Sequence, residues 1–244
     1  MYNIRKELMI QEDKEMKKLL VVLLALALAF SMTACGGDED VLGQITGEET
    51  ESNGAEESQD TAETETPVSL GKAEGTVYES EFLGMGFNLP EGWNFYTDEQ
   101  IKELNNLTSD MVDDDVAKQL AEASLIHDMY ATNSSGSSTT IILEKMSAIS
   151  SAIVDEKTYA ESSVRQIPKA LESLGFTEVK TTIGSTDLCG EEHVTIDIEA
   201  TSPNGVLYEK VICVKIGQYI ACITVATLDG TETAAILSNF YSLD

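Results

Sequence analysis

Basic residues are scarce in this chain: Lys and Arg number 15 against 43 Asp and Glu in 244 residues, a formal net charge of −28. A field of that sign repels nucleic-acid phosphates and anionic lipid headgroups alike, so no nucleic acid is expected among its partners. A partner should be cationic, neutral or bridged by divalent ions. Histidine is scarcer still, with only His127 and His193 available as imidazole bases. There is no Gly-rich phosphate loop, no His-Glu-x-x-His, no Gly-x-Ser-x-Gly and no calcium loop with its central glycine, which removes the reaction classes built on those motifs. The cysteines offer no Cys-x-x-Cys knuckle for zinc. Long apolar runs are missing too: the longest uninterrupted one is Leu19 to Phe30.

That run sits behind Met16-Lys17-Lys18 and ahead of Met32-Thr33-Ala34-Cys35. A membrane-spanning helix needs about 20 apolar residues to cross roughly 30 Å of hydrocarbon, whereas the stretch from Leu19 to Ala34 reaches about 24 Å at 1.5 Å per residue. A basic front, a short apolar centre and small residues before the break are the layout of a secretory signal. The whole resembles the signal peptide and lipobox of a bacterial lipoprotein. The resemblance implies a diacylglyceryl group on the Cys35 thiol, cleavage after Ala34, and a lipid anchor to the cell membrane on its extracytoplasmic face. Residues 1–34 are therefore read as a signal peptide with its true start at Met16.

Residues 35–75 follow as a lipidated Cys35 and an acidic linker, in which only Lys72 opposes a dozen carboxylates and no aromatic side chain appears. Such a composition cannot offset the entropy of ordering, so a disordered tether is expected. Residues 76–244 suffice for one domain with its own core. Its acids outnumber its bases by 27 to 9.

Alternation predicts strands over Thr76–Phe82 and Met85–Leu89, the second stopping at Pro90 before Trp93 enters the core. Thr97 and Gln100 have capping-box spacing for a helix from Asp98, and Asp113 to Asp115 begin another. Ile126–Thr132 and Thr139–Met146 read as a hairpin. A helix capped by Thr158 and Glu161 carries Val164, Ile167, Leu171 and Leu174 on one face, with a kink predicted at Pro168. Val194 to Ala200 alternate as a half-buried strand, and Leu207–Lys215 and Tyr219–Ala226 read as central strands joined at Gly217-Gln218. Thr233–Tyr241 closes as a helix. This order predicts an α+β fold, a mainly antiparallel sheet with helices packed on it.

Gly86-Phe87-Asn88-Leu89-Pro90-Glu91-Gly92-Trp93, the helix ending at Leu174-Gly175-Phe176 and the closing three-stranded meander resemble the PsbP-like fold, known from an extrinsic subunit of photosystem II. The likeness would cover nearly all of residues 76–244. It implies an accessory or binding protein and carries no catalytic residues.

Candidate sites are few. His127 opens a strand and reads as structural, and His193 shares a polar strand face with Asp197 and Glu199 and reads as solvated. Cys189, His193, Cys213 and Cys222 lack zinc-site spacing, and three acids at Asp113 to Asp115 are already explained by a helix N-terminus. A two-residue loop at Gly217-Gln218 would set Cys213 opposite Cys222, with free buried thiols preferred to a disulfide. The reading is a non-catalytic lipoprotein binding a protein or wall component near the membrane, with no cofactor and no metal. Two alternatives stay open: an enzyme built on His193, Asp197 and Cys189, and a small-ligand receptor whose apolar cavity is lined by Trp93, Tyr130 and Tyr208.

Overall fold

A computed structural model describes residues 67–107, 113–203 and 205–243. The signal, Cys35 and the tether up to residue 66 lie outside the described residues. Two antiparallel sheets carry the fold. The smaller joins β1 (Lys72–Glu74), β2 (Val77–Ser80), β3 (Met85–Asn88) and β11 (Phe240–Ser242) in that order. The larger runs β4 (Trp93–Phe95), β5 (Leu125–Asn133), β6 (Ser138–Lys145), β10 (Tyr219–Thr227), β9 (Gly205–Ile216), β8 (Glu191–Ser202) and β7 (Thr177–Leu188). The helices are α1 (Asp98–Leu104), α2 (Asp113–Glu122), α3 (Ala148–Ile153), α4 (Glu156–Ser163), α5 (Ile167–Ser173) and α6 (Thr233–Leu237). The class is α+β, as the alternation of strand and helix signals predicts.

Strand β10 is apolar on both sides because both faces of the larger sheet are covered. On one face Ile126, Ile141, Leu143 and Ile223 pack with Phe87 of the small sheet and Leu120 of α2. On the other Ile196, Val211 and Ile220 pack with Tyr159, Ile167 and Leu171 of α4 and α5. Gly217 holds φ at +55°, the left-handed backbone that glycine takes without strain, and Ile216 pairs with Tyr219 around it. Cys213 therefore does face Cys222.

Several expectations need correcting. The folded unit starts before Thr76: Val68 is 6% exposed and β1 pairs with β2, so residues 67–75 belong to the domain and not to the tether. Residues 164–166 interrupt the long helix into α4 and α5, and Pro168 sits in the first turn of α5, where its missing N–H leaves no helical bond unmade. Asp155, not Thr158, caps α4, its carboxylate accepting from the Thr158 N–H at 2.7 Å. The closing helix stops at Leu237, and Tyr241 lies in β11, donating its hydroxyl proton to Glu79. Strand β7 has no counterpart in the sequence reading. It is an edge strand whose side chains are mostly exposed, so no apolar alternation marks it.

Candidate functional site

Strand β4 covers only the far end of β5, pairing Trp93, Asn94 and Phe95 with Asn133, Thr132 and Ala131. Beyond one more bond, from the Tyr96 N–H to the Tyr130 carbonyl, the edge of β5 has no strand partner among the described residues. Asn105 substitutes for one: its side-chain amide donates to the His127 carbonyl at 2.7 Å and accepts from the His127 N–H at 2.8 Å. The backbone of His127 is thereby tied to α1, and burial lowers the pKa of its ring.

A β-bulge between His127 and Met129 takes Asp128 out of register at this open edge. The Asp128 side chain is buried, yet its carboxylate accepts from the Gly71 N–H at 2.6 Å and from the Tyr78 hydroxyl at 2.6 Å. Burial pushes its pKa up to about 6, against the opposing pull of those hydrogen bonds. Desolvation first, and the Asp128 charge second, raise the pKa of Tyr78 in turn.

Asp128 and Tyr78 line a cavity of about 390 Å³ at this edge, a volume in the range of small-molecule pockets, about 300–1,000 Å³. Val68, Leu70, Ile101, Val116, Leu120 and Met129 supply apolar wall. The rings of Tyr96 and Tyr130, with centroids 4.2 Å apart, supply an aromatic one. Seven segments meet here: the chain before β1, β1, β2, β4, α1, α2 and β5. No local motif marks such a site. The one signal available in the sequence was a lone carboxylate, Asp128, within the apolar run Leu125 to Ala131.

A second polar group lies under α4. Glu144 accepts from the Tyr159 hydroxyl at 2.7 Å, that hydroxyl lies 3.4 Å from Cys222 Sγ, and burial pushes the Glu144 pKa up to about 7. Cys213 and Cys222 are free, and their thiols are hydrogen-bonded to each other, which together with burial raises the Cys213 pKa. Glu156 accepts from the Lys215 N–H at 2.9 Å and lies 3.1 Å from His193 Nδ1.

The sequence candidates do not assemble as expected. His193 is not a solvated surface residue; its side chain is 11% exposed and paired with Glu156. Asp197 pairs instead with Lys210, and Cys189 lies in the β7–β8 turn at positive φ, lining a cavity with Lys210 but not with His193 or Asp197. Of the three aromatics expected around an apolar cavity, only Tyr130 lines it. Trp93 is in the core, and the Tyr208 ring lies against Gly230. Among the described residues no three His, Cys, Asp or Glu side chains are grouped to hold a metal ion.

No known family model matches the chain, and no curated protein matches it. Solved structures similar to it include the solution structure of cyanobacterial PsbP (CyanoP) from Synechocystis sp. PCC 6803, with a TM-score of 0.43, 12% identity, and coverage of 72% of this chain and 98% of that one. LpqN of Mycobacterium tuberculosis, described as involved in cell envelope biogenesis, is similar with a TM-score of 0.36, 10% identity, and coverage of 64% of this chain and 82% of that one. No residue role is carried over from either.

Proposed function

We propose that the protein is an extracytoplasmic lipoprotein, anchored to the cell membrane through Cys35, whose folded domain is a non-catalytic binding module. The observation that carries this reading is the run from Met16-Lys17-Lys18 through Leu19–Phe30 to Met32-Thr33-Ala34-Cys35. A single acyl chain gives only marginal attachment, whereas two or three, at about 0.8 kcal/mol per buried methylene, hold a chain to a bilayer. Among the described residues no helix is long and apolar enough to cross a membrane. The acidic tether after Cys35 would then hold the domain off the headgroups that its own charge repels.

The non-catalytic half of the reading is supported by how the candidate groups are used. The His193 ring is held by Glu156, the His127 ring is mostly buried beside the Asn105 bridge to its backbone, and the Cys213 and Cys222 thiols hold each other.

Metabolic labelling with a fatty acid tests the anchor. The parent chain should incorporate label and the Cys35→Ala variant should not, because only the thiol accepts the diacylglyceryl group. Equal label in the two would overturn the anchor.

A further inference from the structure

A carboxylate buried in an apolar wall normally sits beside a cation, because an uncompensated charge in such surroundings is costly. Asp128 is 2% exposed and has no such neighbour: its partners are a backbone N–H, a phenol and the Ser80 hydroxyl, and no described Lys, Arg or His is paired with it. Three neutral donors leave a carboxylate, which can accept about four hydrogen bonds, with room for a cationic one. It lines the cavity at the edge of β5 together with Tyr96 and Tyr130, whose faces attract cations. The missing positive charge and the empty apolar volume adjoin the same side chain.

We propose that this cavity binds a small hydrophobic amine, its ammonium on Asp128 and its apolar body against Tyr96, Tyr130 and the aliphatic wall. The proposal rests on the reading of the domain as a binding module and supplies that module's site and ligand class. Charge complementarity extends beyond the contact, since the domain's 27 acids against 9 bases draw a cation toward it. Lys72, Lys102 and Asp98 also line the cavity; Lys72 and Asp98 are exposed, where water screens their charge, and Lys102 is half-buried on α1. An anionic amphiphile such as a fatty acid would meet the Asp128 carboxylate at the inner end and be repelled. A neutral apolar ligand would fill the volume and leave that charge uncompensated.

Isothermal titration of the full chain in detergent micelles, with each ligand also titrated into empty micelles, separates the three cases. The probes are tryptamine, neutral 3-methylindole and anionic indole-3-acetate, which share one ring system and differ in charge. Tryptamine should bind about tenfold or more tightly than either of the others, equivalent to about 1.4 kcal/mol or more. Asp128→Asn should abolish that preference while leaving 3-methylindole binding within about twofold, since the amide keeps the shape and loses the charge. Ala117 lines the cavity from the exposed side of α2, so Ala117→Trp fills the space without removing a core side chain, and it should eliminate tryptamine binding even if the Asp128 variant does not fold. Equal affinity for the three probes, preference for the anion, or tryptamine binding unchanged by Ala117→Trp would each overturn the proposal. Fatty-acid labelling at Cys35 is read independently, so loss of the ligand site and loss of the anchor are distinguishable results.

Discussion

Glu209 stands on β9 opposite Ala226 of β10 and Ile198 of β8, is 4% exposed, and its Oε2 has no hydrogen-bond partner among the described residues. Burial alone pushes its pKa up to about 8, as burial pushes Glu144 to about 7 and Asp128 to about 6. In each case the folded state keeps a proton that the unfolded chain gives up near pH 4. The stabilising contribution is therefore complete below about pH 4, declines as pH rises above that, and is fully lost once pH has passed the folded-state values, between about 6 and 8. Thermal melts should show the midpoint falling from pH 5 to pH 9. Glu209→Gln should flatten that fall, since each unit of separation is about 1.4 kcal/mol and Glu209 has the widest one. A Gln variant with the same pH slope as the parent would show that Glu209 is neutral throughout or reaches water. None of these acids was legible as buried from the sequence. Glu209 lies within Leu207–Lys215, which reads as a central strand, but strand alternation does not say whether a carboxylate there meets a helix-covered face or solvent.

Strand β1 and the chain just before it show what an element contributes when composition argues against it. Gly71, Lys72 and Glu74 look like more of the acidic linker, yet the Gly71 N–H bonds Asp128, Lys72 and Glu74 pair with Glu79 and Val77, and Val68 is buried in the core. A chain beginning at residue 76 should consequently melt lower than one beginning at residue 67, by an amount reflecting the loss of Val68, about 1.5–3 kcal/mol for a buried side chain of that kind, and of the β1 ladder. Equal midpoints would return residues 67–75 to the tether. Helix α1 is the opposite case. Its capping box, the Thr97 hydroxyl accepting from the Gln100 N–H and the Gln100 side chain accepting from the Thr97 N–H, is written in the sequence spacing. Thr97→Ala should cost about 1 kcal/mol in a denaturant titration, with no change in slope.

For the molecule as a whole the excess of carboxylates is the dominant fact, and self-repulsion should lower its stability in dilute buffer. Raising monovalent salt from about 0.01 M to about 1 M shortens the screening length from about 30 Å to about 3 Å and should raise the melting midpoint; a midpoint independent of salt would mean that the charges are too dispersed to matter. The sequence by itself determined the α+β class, the hairpins at residues 133–138 and 217–218, the pairing of Cys213 with Cys222 and the capped start of α1, because each depends on periodicity or turn chemistry within a few neighbouring residues. Only the tertiary structure decided that the strands divide into two sheets, that β11 returns to β3 and that His193 meets Glu156. The cavity belongs to the same group. Asp128 is 57 residues from Gly71 and 50 from Tyr78, and contacts closed over such separations are set by how helices and a short sheet cover the open edge of β5, which no local pattern encodes.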